Sequence, residues 1–164
     1  IAPQTSIQLS EVDALGDRDL NESPIWVAED SILLTQMIRT SLSRAGYENV
    51  SMFPNGAELW DALKPLENAD DLHEKVALII TDLEMPQMDG HRLTKLIKDN
   101  AAFRSIPVII FSSLITEEMR RKGKEIGADE QLSKPEIGHL IHVIDTLLAK
   151  SQAARKEQES YGKQ

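Results

Sequence analysis

The stretch VALIITDLEMPQMDG, residues 76–90, is the most informative segment of this chain. It begins with a continuous apolar run from Val76 to Thr81, a pattern typical of a central parallel strand that is covered on both faces. Asp82 follows where that strand must end, and a loop containing a proline leads to Gly90. The stretch therefore predicts a buried strand that presents a carboxylate at its carboxyl end.

Other short apolar segments precede and follow this strand, and each is followed by apolar residues at helical spacing. Together with residues 76–81, the predicted strands cover residues 25–28, 50–53, 107–111 and 130–132. Five strand–helix repeats in series predict an α/β domain with a five-stranded parallel sheet and five helices on its two faces. In a doubly wound sheet of strand order 2-1-3-4-5, ligands bind beyond the carboxyl ends of strands one and three.

The repeats place the domain at residues 24–149. Residues 1–23 are polar and acidic, begin with isoleucine and show little periodicity, so we expect a linker or the end of a missing upstream domain. Residues 65–75 predict a loop or a helix extension. Residues 150–164 are charged and lack an apolar face, which predicts a flexible tail.

The composition limits the kinds of partner. A net charge of -9 over 164 residues repels nucleic-acid phosphates, so nucleic-acid binding by the domain is not expected. No apolar run approaches the roughly 20 residues that span a bilayer, so membrane insertion is not expected either. The absence of cysteine excludes disulfides and thiolate metal sites, and it fits a reducing compartment such as the cytoplasm.

Acidic side chains follow two of the predicted strands. Glu29 and Asp30 come directly after the first strand, and Asp82 follows the third. Because these strands are neighbours in the order 2-1-3-4-5, we expect the carboxylates to share one crevice, where they would repel one another. A divalent cation relieves that repulsion, and oxygen ligands favour Mg²⁺, with Mn²⁺ as the alternative.

Two further groups are predicted at the same edge. Ser112, with Ser113 after it, offers a hydroxyl at the end of the fourth strand, and Lys134 offers an ammonium after the fifth. A carboxylate nucleophile, a metal, a hydroxyl and a lysine together suit phosphoryl transfer, which depends on positioning and on neutralising charge. Any one of these residues alone is more often a helix cap or a surface charge.

The segment Ile79 to Gly90, with the acid pair, the hydroxyl and the lysine in order, resembles the receiver domains of two-component response regulators. The resemblance covers residues 24–149 and implies a flavodoxin-like fold that is phosphorylated on Asp82. It implies that Asp30 binds Mg²⁺ directly, with the Glu84 backbone carbonyl as a further ligand.

By the same resemblance, Glu29 acts mainly through metal-bound water. Ser112 corresponds to the hydroxyl that moves to the phosphoryl group, and Lys134 to the lysine that contacts it. One departure concerns the position three residues before Lys134, where the family usually has an aromatic residue that turns inwards on activation. Here that residue is Gln131, so an aromatic rotation cannot report phosphorylation.

A narrower resemblance is to the receivers of the chemotaxis coupling proteins of the CheV type. Residues 111–114 (FSSL) and 127–138 (GADEQLSKPEIG) carry it. It implies a CheA-type histidine kinase as phosphodonor and a CheW-like domain upstream, whose end or linker would be residues 1–23. Through that domain the protein would join a chemoreceptor array.

Three functions follow from these residues as hypotheses. The leading one is a binding module switched by phosphorylation, with no catalytic turnover beyond its own phosphorylation and dephosphorylation. The second is a pseudo-receiver scaffold that never takes phosphate, which Gln131 keeps open. The third is a Mg-dependent phosphatase with Asp82 as nucleophile; such enzymes usually have a second aspartate two residues later, where this chain has Glu84.

Overall fold

The computed structural model describes residues 22–134 and 136–162. The predicted linker or upstream-domain end at residues 1–23 lies almost wholly outside the described residues. None of the helices in the described part of the chain is both long enough and apolar enough to cross a membrane.

Five strands and six α-helices alternate along the described chain. In order they are β1 (Ile25–Ala28), α1 (Ile32–Arg44), β2 (Val50–Phe53), α2 (Gly56–Leu63), α3 (Leu72–Lys75), β3 (Leu78–Thr81), α4 (Gly90–Asp99), β4 (Val108–Ser112), α5 (Glu117–Glu125), β5 (Glu130–Ser133) and α6 (Ile137–Gly162). All strands are parallel, in the order β2-β1-β3-β4-β5. The predicted flavodoxin-like fold and its strand order are confirmed.

The central strand β3 is buried at all four positions, as its apolar run predicts. Its side chains alternate between the two faces of the sheet. Ile80 belongs to a core with α1 and α6, whereas Ile79 belongs to a second core with α2 and α4. Because each face is covered by helices, the free positions for a polar site are the ends of the strands.

Most of the helices begin at a side chain that accepts a hydrogen bond from the first turn. The caps are Ser31 for α1, Asn55 for α2, Asp89 for α4 and Thr116 for α5. Such caps stabilise a helix by about 1 kcal/mol each and fix where it starts. The predicted cap at Ser31 is confirmed, with Leu34 N donating to its hydroxyl over 3.2 Å.

Two segments contain helix that the sequence did not predict. The stretch 65–75 contains part of a 3₁₀ turn (Lys64–Leu66) and the short helix α3, which is additional to the five predicted helices. The predicted flexible tail is helical as far as Gly162. Its residues are mostly Ala, Gln, Lys, Arg and Glu, which favour helix without an apolar face, and Arg155 Nη1 donates to Ser151 Oγ one turn earlier.

Candidate functional site

Three carboxylates meet at the carboxyl ends of β1 and β3. Ala28 pairs with Thr81 at the last position of the two strands, so Glu29 and Asp82 leave the sheet side by side. One oxygen atom from each of Glu29, Asp30 and Asp82 lies within 4.8 Å of the others. Glu29 is 4% exposed and Asp82 9%, whereas Asp30 is exposed to solvent. The structure thus brings together the acidic cluster expected from the sequence.

Lys134 enters this cluster from the end of β5. Its ammonium forms an ion pair with Glu29 Oε1 and a second one with Asp82 Oδ2 at 3.3 Å. The side chain is 7% exposed, and the backbone N–H of Lys134 donates to the Ser112 carbonyl at 2.9 Å. One ammonium among three carboxylates leaves two negative charges uncompensated within the cluster.

Backbone donors hold the two buried carboxylates in place. Glu29 Oε2 accepts from Ser31 N at 3.0 Å, and Asp82 Oδ1 accepts from Leu83 N at 2.7 Å. In each carboxylate, one oxygen therefore accepts a hydrogen bond from a backbone N–H and the other faces the Lys134 ammonium. This division fixes the orientation of the Asp82 side chain at the mouth of the site.

Burial raises the pKa of the Glu29 carboxyl above its ordinary value. The hydrogen bond from Lys134 and the Ser31 N–H act in the opposite direction, and the charge of Asp82 raises the pKa further. The net upward shift means that Glu29 lacks enough positive charge around it to offset its burial. A bound cation would supply that charge.

Ser112 and Glu84 both lie at the carboxyl edge of the sheet, but Ser112 is buried and Glu84 is exposed. Ser112 ends β4 opposite Ser133 and is 2% exposed. Glu84 is exposed and lines an open cleft of about 540 Å³ beside Asp30; Leu83, Met85, Asp89, His91 and Met119 complete its lining. This cleft gives solvent and small molecules a route to the acidic cluster.

Gly90 contacts the site in a way that the sequence did not reveal. Its N–H donates to Leu83 O at 2.9 Å, and the hydroxyl of Thr94 donates to its carbonyl at 2.7 Å. A Cβ atom at this position would lie 2.0 Å from the backbone oxygen of Asp82. Helix α4 therefore begins against the backbone of Asp82, an approach that only glycine permits. The one signal in the sequence was the Asp89-Gly90 pair at the start of the helix.

His91 links the start of α4 to α5. Its Nε2 lies 3.2 Å from Met119 O, which requires the tautomer that donates from this nitrogen. Burial lowers the pKa of His91, and the positive charge of Lys122 lowers it further. The side chain is therefore a neutral structural link near the open cleft, as expected for a packing histidine.

Large apolar side chains are exposed on α1 and in the loop after β4. Among the described residues, Ile32, Leu33 and Met37 on α1 are 79%, 68% and 40% exposed, and Leu114 after β4 is 59% exposed. Ile32 and Leu33 begin α1 shortly after β1, and Leu114 follows β4, and these are the strands on either side of β3. We call Ile32, Leu33 and Leu114 the apolar rim.

Residues 25–145 match the response regulator receiver domain family. A curated relative, the response regulator Rre1 of Synechocystis sp., is 30% identical over 131 residues, which are 79% of this chain and 53% of that protein. The chemotaxis protein CheV2 of Helicobacter pylori is 33% identical over 125 residues, 76% of this chain and 38% of that protein. The chain spans about half or less of the length of these two relatives.

A solved structure with the same fold is the receiver domain of the sensor histidine kinase PA1611 from Pseudomonas aeruginosa. It superposes with a TM-score of 0.63 at 21% identity, covers 77% of this chain and 97% of its own, and has a magnesium ion coordinated in its active-site cleft.

The curated relatives include several kinds of response regulator at similar identity, so they do not single out the CheV type. The family match over residues 25–145 includes the acidic cluster of Glu29, Asp30 and Asp82. The chain belongs to the response regulator receiver domains.

Proposed function

We propose that this domain accepts a phosphoryl group on Asp82 from a protein histidine kinase and thereby changes its partner interactions. The observation that carries the proposal is the position of Asp82, a nearly buried carboxylate fixed by Leu83 N and Lys134 beside two further acids. An aspartate in this setting is suited to act as a nucleophile, because its side chain is held in one orientation close to the cleft that Asp30 lines.

The cluster suits Mg²⁺, with Mn²⁺ as the alternative. All available donors are oxygen atoms, and two negative charges remain after Lys134 is counted. Asp30 and Asp82 would hold the ion directly, together with the Glu84 carbonyl, and Glu29 would act through a water molecule. When bound, the ion neutralises charge on the phosphoryl oxygens.

In the proposed reaction, a carboxylate oxygen of Asp82 forms a bond to phosphorus while the P–N bond of the donor's phosphohistidine breaks. The imidazole takes the electron pair of that bond and leaves neutral, because its other ring nitrogen carries a proton. The Lys134 ammonium, now paired with Asp82 Oδ2, is placed to move onto a phosphoryl oxygen. Ser112 at the end of β4 would donate a hydrogen bond from its hydroxyl to another phosphoryl oxygen.

The apolar rim supports a protein as the donor. Ile32, Leu33 and Leu114 are exposed around a polar site, where water would otherwise favour polar side chains. A kinase surface that carries the phosphohistidine on an apolar helix would cover them while it delivers the phosphoryl group. We propose a CheA-type histidine kinase in the cytoplasm, and a chemotaxis context that includes a CheW-like domain in a longer protein.

The test is to incubate the protein with Mg²⁺ and a small phosphodonor such as phosphoramidate, and to weigh the intact protein over time. We expect a gain of one phosphoryl group that is absent in Asp82→Ala and slowed in Lys134→Ala. Absence of any gain would favour the pseudo-receiver alternative. Multiple turnover of a phosphomonoester by the wild type, lost in Asp82→Ala, would instead support the phosphatase.

A further inference from the structure

The two helical segments that lie outside the five strand–helix repeats come together at the amino end of the sheet. The short helix α3 precedes β3, and α6 continues past Leu148, its last residue in the core. The loops that enter β4 and β5 lie at the same edge, because all the strands are parallel. This edge is opposite to the one that carries Asp82, so a site here is separate from the acidic cluster.

An open cavity of about 560 Å³ lies between these segments. Small-molecule sites typically have volumes of about 300–1,000 Å³. One wall is a single face of α6, because Leu147, Ser151 and Arg155 line the cavity at intervals of four residues. Pro107, before β4, and Ala154 add apolar surface to Leu147. The cavity can therefore accept the apolar part of a ligand.

Cationic side chains line the same cavity. Lys150 and Arg155 belong to its lining, together with His73 of α3. Arg155 Nη1 donates to Ser151 Oγ at 2.7 Å, and Arg155 is half-buried in a stretch of α6 whose adjacent residues are exposed. A guanidinium has five N–H donors, so Arg155 can bind an anion in addition to its present partners.

The charge of Arg155 acts across the cavity on α3. Burial lowers the pKa of His73, and the positive charge of Arg155 lowers it further. The guanidinium therefore lies close to the imidazole, whose Nε2 is 3.0 Å from Ser105 Oγ. A neutral imidazole and a hydroxyl add hydrogen-bonding groups beside the two cations.

Asp129 is the acidic side chain among the described residues that line the cavity, and its charge is already compensated. Its Oδ2 accepts from Lys98 Nζ at 2.8 Å and from Val108 N at 2.7 Å. Lys98 is itself fixed, because its ammonium also donates to the Ile106 carbonyl at 2.8 Å. Asp129 therefore does not offset the cations of the lining, which form a locally positive surface in a chain of net charge -9.

We propose that this cavity binds a small organic anion, with its carboxylate or phosphate group on Arg155 and Lys150 and its apolar part against Pro107, Leu147 and Ala154. The planar guanidinium can bind two oxygens of either group at once, and the ammonium adds a point charge. The bound anion would connect the end of α6 to α3. This site does not depend on phosphorylation of Asp82.

The experiment titrates the full chain with 4-phenylbutyrate, with phenyl phosphate and with the neutral 4-phenylbutanamide, followed by ¹H–¹⁵N NMR. Mg²⁺ is omitted so that phosphate does not collect at the acidic cluster. We expect saturable shifts of the Ser105, Asp129, Ser151 and Ala154 amide signals with an anion and none with the neutral amide. The anion that binds more tightly shows whether the site prefers a carboxylate or a phosphate.

Three variants test the assignment. Arg155→Gln should weaken binding about tenfold or more, as expected for the loss of a charge-assisted hydrogen bond. Lys156→Gln is the matched control, because it removes the same charge from an exposed position of α6 that does not line the cavity, and it should leave the affinity unchanged. Ala154→Trp fills the cavity and should abolish binding although every charge remains. Circular dichroism and the melting temperature show whether each variant is folded.

Several results would overturn the site. One is the absence of saturable shifts with both anions. Another is equal weakening by Arg155→Gln and Lys156→Gln, because binding would then follow the general charge of the helix. Undiminished binding in folded Ala154→Trp would show that the anion lies outside the cavity. Shifts that follow the protein concentration rather than the added anion would show that a second copy of the chain covers this surface instead.

Discussion

Replacing Gly90 with alanine should damage both the stability of the domain and the geometry of its phosphoacceptor. The new Cβ would lie 2.0 Å from the Asp82 carbonyl oxygen and 3.1 Å from the Leu83 Cα, and both are backbone atoms. Ordinary contacts between carbon and a carbonyl oxygen are about 3.3 Å or longer, so α4 and the backbone after β3 must separate by about 1 Å. The whole start of α4 has to move, since no flexible side chain can yield.

The loss of folding free energy in Gly90→Ala can be estimated from comparable substitutions. Overpacking a well-packed site typically costs about 1–3 kcal/mol, and backbone atoms on both sides favour the upper end. Alanine recovers about 0.5–1 kcal/mol of helix propensity, which leaves a net loss of about 2 kcal/mol. With a urea m-value of about 2 kcal/mol/M, the unfolding midpoint of Gly90→Ala should fall by about 1 M.

The assay is urea unfolding followed by circular dichroism, together with the rate of phosphorylation by a small phosphodonor. Gly138→Ala is the matched control, because its Cβ would contact nothing within 4 Å; it should leave the midpoint unchanged or raise it slightly. The phosphorylation rate should fall in Gly90→Ala alone. Equal stability of the two variants, or a normal phosphorylation rate in Gly90→Ala, would refute the reasoning from close contact.

Further predictions concern charge, pH and hydrolysis. Lys134→Met leaves two nearly buried carboxylates without their ammonium, so it should lower stability by about 3–5 kcal/mol, and added Mg²⁺ should restore part of the loss in thermal melts. Burial holds the pKa of His91 and His73 below 6.5 in the folded state, so the unfolded chain binds more protons below that pH. The free energy of unfolding should therefore decline as the pH falls from 6.5 towards those pKa values. His91→Gln should make this decline with pH less steep. An equally steep decline in His91→Gln would show that His91 does not contribute to it. Glu84→Ala or Leu114→Ala, at exposed positions beside the mouth, should alter the phosphoryl half-life more than the melting temperature, and unchanged hydrolysis in both would contradict this.

The sequence predicted the fold where one physical pattern dominates. The apolar run from Val76 to Thr81 has a single stable placement, a strand covered on both faces, and β3 is buried at all its positions. Once the strand order is known, the convergence of Glu29, Asp30 and Asp82 follows from the ends of neighbouring strands. These features depend on the order of strands and helices, which the spacing of apolar residues in the sequence predicts well.

Other features depend on individual contacts between residues far apart in the sequence. The hydrophobic pattern of the sequence does not predict such contacts. The hydrogen bonds that Gln131 and Arg120 donate to each other's backbone, and the space that Gly123 leaves for the Gln131 amide, require knowing which way that amide points. Helix α6 runs past residue 150 because helix propensity and local hydrogen bonds suffice there, whereas the sequence prediction relied on an apolar face. For that reason the sequence did not predict that the helix continues beyond residue 150.

The central claim is that Asp82 itself receives the phosphoryl group, and chemical mapping tests it most directly. The protein is phosphorylated in the presence of Mg²⁺, the acyl phosphate is reduced with borohydride, and the digested peptides are sequenced by mass spectrometry. Reduction converts a phosphorylated aspartate to homoserine, and we predict homoserine at position 82, with Asp30 and Glu29 left unmodified. Homoserine at any other aspartate, or unmodified Asp82 in protein whose intact mass shows a phosphoryl group, would contradict the account.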